Sequence, residues 1–221
     1  MTDNHQDASV SNTTPVGASA DAARVTTAHL CDVSPMGILM DRAIGPVWPG
    51  AHLQGPAFTV KTPPGDNASL IAALRRAQPG DVLVVDGGGA VDRALWGAIL
   101  SVAADKLGIR GIVLDAAIRD RDEIAELRYP VFARGISPDT PYSKVHGSTG
   151  EPVVCGGLSV RGGDYVYADG DGVVVIRREV HEATLERARH RMDLEDQIFR
   201  GLEAGQSLDD LVPILAQTRR S

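Results

Sequence analysis

Two adjacent ionic residues, Arg119 and Asp120, follow an apolar segment at Ile112–Leu114. That segment predicts a buried strand, and α/β sheets bind ligands at the carboxyl ends of their strands. An arginine offers a forked pair of donors to a carboxylate, and an aspartate offers oxygen ligands to Mg²⁺ or Mn²⁺. The pair therefore predicts a site for an anionic substrate and a divalent metal. It also fits a structural role, with Asp120 as the N-cap of the next helix and Glu123 completing a capping box.

A run of three glycines, Gly87–Gly89, follows a second apolar segment at Val82–Val85. A glycine loop before a helix exposes backbone amides to an anion, which is typical of nucleotide or methyl-donor sites. The dinucleotide fingerprint, however, has spaced glycines and an acidic residue about 20 positions later. Here the glycines are contiguous, and Asp115 lies 28 residues beyond Gly87. We therefore expect no cofactor of that type.

The six histidines and two cysteines show no paired spacing of metal ligands. His146 lies in a loop of small polar residues and is a candidate for substrate contact. His181 and His190 lie on a charged helix, and we expect both to be solvated. Cys31 in a predicted helix and Cys155 in a predicted strand favour buried side chains. Neither a disulfide scaffold nor a structural zinc cluster is predicted.

The composition limits the partners of the chain. Lys plus Arg is 22 against 29 Asp plus Glu, which gives a net charge of −7, whereas a nucleic-acid groove needs clustered positive charge. No apolar run approaches the ~20 residues that cross a bilayer, and no signal peptide is visible at the start. We expect a cytoplasmic protein with no nucleic-acid partner and no membrane partner.

Strands and helices alternate around the candidate residues, which predicts an α/β fold. Strands are predicted at Phe58–Lys61, Val82–Val85, Ile112–Leu114, Val153–Val154, Leu158–Val160, Tyr165–Ala168 and Val173–Ile176. A helix capped by Asp66 should end before Pro79, and another should run from the triple glycine to Leu107. A long helix is predicted from Glu179 to about Leu202, with an apolar stripe at three- and four-residue steps.

The chain is predicted to hold one domain with two appendages. Residues 1–23 almost lack large apolar side chains and are predicted to form a disordered tail. Residues 24–206 contain no linker long enough to divide them and form the domain. Residues 207–221 are predicted to form a short C-terminal helix, because Ser207 and Asp210 make a capping box.

Several segments together resemble one family. They are Gly55–Val60, Pro64–Asn67, Pro79–Gly89, Ala94–Gly97, Ile118–Asp120, Pro130–Gly135 and Gly163–Val173. From about Val25 to Leu202 the sequence resembles the class II 4-hydroxy-4-methyl-2-oxoglutarate aldolases and the regulator of ribonuclease E activity A. The resemblance implies an α/β/β sandwich of the swivelling phosphohistidine-domain type. It also implies a homotrimer or hexamer with sites at subunit boundaries.

The resemblance further implies the chemistry of the site. Arg119 would bind the pyruvoyl carboxylate or ketone of a small 2-oxo acid and stabilise the enolate, and Asp120 would ligate Mg²⁺ or Mn²⁺. The amides of Ile99 and Leu100 would cradle the substrate carboxylate. Retro-aldol cleavage and oxaloacetate decarboxylation share this pyruvate enolate, whose charge a metal and an arginine can carry. The substrate-binding set so implied is Gly97, Ala98, Ile99, Leu100 and Arg119.

The sequence departs from the aldolases at one position. They have an acidic residue, twenty intervening residues and then Arg-Asp, and Ala98 occupies that acidic position. Metal affinity should fall, and so should proton transfer, a step that typically contributes ~10²–10⁴-fold. The ribonuclease regulators lose the aspartate that is kept here as Asp120. Three functions stay open: a metal-dependent 2-oxo acid lyase, a repurposed enzyme for decarboxylation or tautomerisation in the same pocket, and a non-catalytic partner-binding protein.

Overall fold

A computed structural model describes residues 25–34 and 38–218. The predicted disordered tail, residues 1–23, lies outside the described residues. The strands are β1 (Gly45–Pro46), β2 (Leu53–Lys61), β3 (Val82–Asp86), β4 (Ala94–Trp96), β5 (Gly111–Ile118), β6 (Val131–Ile136), β7 (Ser148–Thr149), β8 (Val153–Cys155), β9 (Leu158–Val160), β10 (Tyr165–Asp169) and β11 (Gly172–Ile176). The helices are α1 (Thr27–Val33), α2 (Ala68–Leu74), α3 (Ala98–Lys106), α4 (Arg121–Leu127), α5 (His181–Glu203) and α6 (Leu208–Thr218), with a 3₁₀ turn at Arg178–Val180.

A mixed sheet organises the domain, with the strand order β1-β6-β5-β3-β2-β10-β11. Strands β2, β3, β5 and β6 are parallel to their neighbours in this group, whereas β1, β10 and β11 pair antiparallel. The short β4 pairs with β5, β7 pairs with β2, and β8 and β9 form a separate hairpin. The predicted α/β class is confirmed. The assignment to the swivelling phosphohistidine type remains an expectation.

The core lies on both faces of the sheet, because successive strand side chains point to opposite sides. In β3, Leu83 and Val85 join a cluster with α2, α3 and α4. Val82 and Val84 join a second cluster, which includes residues of the β8–β9 hairpin and of β10 and β11. These four side chains of β3 are fully buried, as the continuous apolar run predicted.

Helix α5 packs against α1 and the outer strands through its first half. Leu185 and Ala188 are buried in a cluster with Leu30 of α1. Farther along the same predicted stripe, Phe199 and Leu202 are 63% and 42% exposed. The apolar stripe is thus only partly covered by the described part of a single chain. No helix within that part is both long and apolar enough to span a membrane.

The structure corrects the predictions for one helix start and for one histidine. The helix predicted directly after the triple glycine begins only at Ala98, because Ala94–Trp96 pairs with β5 as strand β4. His181, predicted to be solvated, is 5% exposed: its ring stacks on Tyr165 at 3.5 Å and hydrogen-bonds the Tyr167 hydroxyl at 2.7 Å. Tertiary contacts cause both differences: β4 forms by pairing with β5, and His181 is buried against two tyrosines. The periodicity of the local sequence shows neither contact.

Other predictions hold in the structure. His190 is exposed, and Cys155 is buried, where burial raises the pKa of its thiol. The prediction of a buried side chain fails for Cys31 on α1, which is only half-buried. Asp66 caps α2 as predicted, since its Oδ1 accepts the Ala68 amide at 2.9 Å.

Candidate active site

The pairing of β4 with β5 places two chain segments side by side. Trp96 and Ile118 are register partners, so the residues that follow them emerge together at the carboxyl ends of these strands. The amide of Arg119 donates to the Trp96 carbonyl at 3.0 Å, which extends the pairing by one residue. Residues that are 22 positions apart in sequence, Ala98 and Asp120, thereby come into hydrogen-bond contact.

The start of α3 presents backbone donors. Gly97 is the N-cap and has no side chain to cap the helix. Of the first amides, which have no intrahelical acceptor, that of Ala98 donates to Asp120 Oδ2 at 3.0 Å. The amides of Ile99 and Leu100 have no acceptor among the described residues. These two amides can together bind a carboxylate, because they lie at the N-terminus of α3, where the positive end of the helix dipole also attracts an anion.

Asp120 has an unusual backbone conformation. Its φ of 59° and ψ of 44° are left-handed, a region that disfavours side chains but that aspartate tolerates better than most. It stands at the N-cap position of α4, yet its side chain makes no cap hydrogen bond, so the predicted capping box with Glu123 is absent. The carboxylate reaches across to α3 instead. A Cβ at Gly97 would lie 2.5 Å from Asp120 Oδ2, so glycine is needed for this approach.

Arg119 has no strong anionic partner in the described part of the chain. Its Nε lies 3.8 Å from Asp120 Oδ2, and its Nη1 lies 3.5 Å from Thr140 Oγ1, at the limit of a hydrogen bond. Arg134, by contrast, contacts the carboxylates of both Asp115 and Asp41. Arg119 is therefore available to bind a ligand anion, while Arg134 is committed to the fold.

These groups meet in a pocket of about 180 Å³. It is lined by Asn67, Ala94, Leu95, Trp96, Gly97, Ile99, Leu100, Arg119, Asp120 and Pro141. All predicted site residues except Ala98 line it, and Ala98 contributes its amide to Asp120. His146, the candidate for substrate contact, is exposed and lines no part of this pocket. Ile99 is 78% exposed at its edge, so the pocket is open on that side.

Asn67 and Pro141 are pocket residues that sequence reasoning missed. They come from the start of α2 and from the loop after β6, and buried Asp66 ties the two together. Its Oδ2 accepts the amides of Lys144 and Val145 at 2.9 and 3.0 Å. Burial alone would raise the pKa of Asp66, but these backbone donors and that of Ala68 outweigh it, and the pKa is lowered. The sequence did hold a signal for Asn67, because Pro64–Asn67 is one of the segments that carry the family resemblance.

Asp120 supplies the only carboxylate among the residues that line the pocket. No group of three or more His, Cys, Asp or Glu residues that could hold a metal occurs in the described ranges. Mg²⁺ keeps several waters and is often bound through one or two carboxylates together with substrate oxygens. Asp120 fits that mode of binding, whereas the described residues offer no cage built from protein side chains alone.

Comparison with known proteins relates this site to a family. The RraA-like family profile, described as Aldolase/RraA, matches residues 27–175, which include the whole pocket. A Halalkalibacterium halodurans protein, provisionally named a 4-hydroxy-4-methyl-2-oxoglutarate aldolase, is 37% identical over 148 residues, covering 67% of this chain and 70% of its own. An uncharacterised protein from Pseudomonas syringae matches with a TM-score of 0.77 at 27% identity, over 86% of this chain and 94% of that one. The RNA-processing inhibitor RraA from Thermus thermophilis matches with a TM-score of 0.62 at 29% identity, over 68% and 91%.

Proposed function

Because the chain belongs to the RraA-like Aldolase/RraA family, we propose that it is a divalent-metal-dependent lyase acting on a 2-oxo acid through a pyruvate enolate. One observation carries the proposal. Within the described residues, an arginine with only weak contacts, an aspartate with a left-handed backbone and two amides without acceptors converge on a single pocket. The aldolase name of the relative from Halalkalibacterium halodurans supports the reaction class.

The residues of this chain divide the work of binding and charge stabilisation. The amides of Ile99 and Leu100 bind the carboxylate of the substrate at the start of α3. Arg119 donates to the 2-oxo oxygen, where negative charge grows as the bond beyond C3 breaks and leaves its electron pair on the pyruvate fragment. A fixed donor at such an oxygen typically lowers the activation free energy by about 2.7–4 kcal/mol. Retro-aldol cleavage and β-decarboxylation both produce this enolate.

Asp120 is the proposed ligand of Mg²⁺ or Mn²⁺. Such an ion supplies Lewis-acid stabilisation of enolate charge when it is bound. Asp120 Oδ2 is held by the Ala98 amide at 3.0 Å, which fixes the position of the carboxylate that would bind the ion. The left-handed backbone at Asp120 costs roughly 1–2 kcal/mol, a cost that is retained where a side chain must be held for function.

Ala98 favours one reaction over the other. Aldol cleavage requires a base to take the proton of the C4 hydroxyl, whereas loss of CO₂ from oxaloacetate requires none. Without a carboxylate at position 98, we propose that decarboxylation, or another reaction that needs no base there, is faster than aldol cleavage. The proposal thereby includes the second alternative from the sequence, an enzyme that uses the same pocket for decarboxylation or tautomerisation.

The active form is proposed to be a homotrimer or hexamer in the cytoplasm. Apolar side chains remain exposed on one chain, among them Ile99 at the pocket and Phe199 and Leu208 near the C-terminal end. A second subunit would cover such surface, and the site beside Ile99 would then lie at a boundary between subunits. The two cysteines in the sequence suit a reducing compartment.

Pyruvate release from oxaloacetate tests the proposal, with and without Mg²⁺. Arg119→Ala should lower the rate at least tenfold, because a charge-assisted contact is worth ~1.5–3 kcal/mol. Asp120→Ala should abolish the effect of Mg²⁺. The exposed Arg42 and Asp122 provide matched controls, and their alanine variants should behave as wild type. Full activity in both site variants would refute the site, and no turnover of any 2-oxo acid by wild type would favour a non-catalytic regulator.

A further inference from the structure

Residues 67–76 and 142–149 form a positively charged surface on a chain whose net charge is −7. The two segments contain no aspartate or glutamate, whereas Arg75, Arg76 and Lys144 are all exposed. Apolar and aromatic side chains are exposed on the same two segments, at 37%, 50% and 56% for Ile71, Tyr142 and Val145. We call these six residues the basic patch.

Specific contacts hold the segment 142–149 along α2. The Gly147 amide donates to Ser69 Oγ at 2.7 Å, and the Arg76 guanidinium hydrogen-bonds Thr149 Oγ1 near the end of the helix. Because these contacts join the segment to α2 at two separate points, the basic patch is one surface with a fixed shape.

Tyr142 gives the basic patch a fixed aromatic side chain. The guanidinium carbon of Arg93 lies 4.3 Å from the centre of its ring, and Lys144 Nζ lies 6.0 Å from that centre. The Tyr142 backbone is held as well, because its carbonyl accepts the Asn67 amide at 2.9 Å. Tyrosines are enriched among the residues that dominate binding at protein interfaces. A half-exposed, fixed tyrosine among cations therefore indicates a surface that binds an acidic partner.

The opposite charge lies on the second half of α5 and on α6. Residues 193–214 contain six acidic residues and a single cation, Arg200. We call this segment the acidic arm. Large apolar side chains remain exposed on it, at 63%, 42%, 61% and 51% for Phe199, Leu202, Leu208 and Val212. The acidic arm lies beyond residue 175, where the match to the family profile ends.

The acidic arm also has a fixed shape. Leu211 of α6 is buried against α5, where a Cβ on Gly201 would lie 2.7 Å from the Leu211 Cδ2. At the start of α6 the Ser207 hydroxyl donates to Asp210 Oδ2 at 2.7 Å, and the Ser207 amide donates to the same oxygen at 3.0 Å. The two helices therefore present exposed apolar side chains together with acidic residues, which is the complement of the basic patch.

We propose that the acidic arm of one copy of this chain docks on the basic patch of the next copy. The two surfaces have opposite charge, and both expose apolar side chains that the contact would bury. Pairing of arm with arm, or of patch with patch, would instead bring like charges together. Because the two surfaces differ, the contact is head-to-tail, which gives a ring when the rotation between copies closes. Such docking rests on the assembly proposed above and not on the reaction in the pocket.

Charge reversal on each surface, followed by restoration in one chain, tests the docking. The patch variant is Arg75→Glu with Lys144→Glu, and the arm variant is Glu203→Lys with Asp209→Lys; all four residues are exposed. Sedimentation and light scattering of the full chain, without substrate, give the dissociation constant of the assembly. Each variant should raise that constant at least about tenfold, because like charges then face each other. The chain with all four substitutions should return to within about threefold of wild type, because both charges are then reversed.

The matched control is Arg42→Glu with Asp122→Lys, which reverses two exposed charges elsewhere and should assemble as wild type. Melting of each variant confirms that it folds. A patch variant that assembles as wild type overturns the docking, and dissociation of the arm variant alone would then indicate that arms pair with each other. A folded chain with all four substitutions that does not reassemble also overturns it.

The assembly and the reaction can fail separately. If wild type is a single chain at micromolar concentration, the docking fails together with the proposed assembly, and the basic patch then suits an acidic partner other than this chain. If wild type turns over no 2-oxo acid, the proposed reaction fails but the docking does not, because its measurement uses no substrate.

Discussion

Replacing Ala98 with aspartate should restore the carboxylate that the aldolases have at this position. Ala98 is the first residue of α3, and its amide already contacts Asp120 Oδ2 at 3.0 Å. A carboxylate there would lie beside Asp120, where it could bind metal waters and accept the C4 hydroxyl proton. We expect Ala98→Asp to increase Mg²⁺-dependent pyruvate release, and more for a 4-hydroxy-2-oxo acid than for oxaloacetate, by up to the ~10²–10⁴-fold that general acid–base catalysis contributes.

The stability of the variant should respond to Mg²⁺ as well. Without metal, two carboxylates about 4 Å apart repel by roughly 1 kcal/mol in water, which a favourable ~0.3–1 kcal/mol at the helix N-terminus largely offsets. If one carboxylate gives a millimolar Kd, then about 10 mM Mg²⁺ stabilises wild type by about 1.4 kcal/mol, and a tenfold tighter site by about 2.7 kcal/mol. For a chain of this length the difference corresponds to roughly 3–5 °C in Tm.

The matched control is Ala98→Asn, which has nearly the shape of aspartate but no charge. Melting with and without Mg²⁺ and pyruvate release are measured for wild type and both variants. The reasoning is refuted if the aspartate and asparagine variants show equal Mg²⁺ shifts and equal rates. If, in addition, Arg119→Ala and Asp120→Ala retain a native activity, the chemistry lies outside this pocket.

Three further outcomes are expected. Gly97→Ala should lower pyruvate release at least tenfold, since its Cβ would lie 2.5 Å from Asp120 Oδ2, whereas Gly170→Ala, with no atom within 4 Å, should not. Burial lowers the pKa of His181 from 6.5, so the unfolded state binds the proton more readily and stability should fall as the pH drops below about 6.5. The urea midpoint of His181→Gln should change less between pH 7.5 and pH 5, while His190→Gln should follow wild type. Light scattering should give three or six times the 23.3 kDa chain mass, and a single-chain mass at micromolar concentration would contradict this.

Much of the scaffold could be predicted because it is encoded locally. The continuous apolar runs at Val82–Val85 and Ile112–Leu114 mark strands buried on both faces, and the structure has β3 and β5 there. Strand β4 was missed because its three residues have no periodicity of their own and are strands only through pairing with β5. Asn67 was missed for a similar reason, since the loop after β6 completes its wall of the pocket.

Two departures from local preference meet at this site. Asp120 is left-handed and does not cap its helix, and Asn67 occupies an N-cap position that it does not use. Both residues line one pocket. The other left-handed residue besides glycine in the described chain, Arg128, is at the end of α4, where such a conformation is common. Because departures from local preference are retained chiefly where function requires them, their convergence supports a binding site here whichever reaction Ala98 permits.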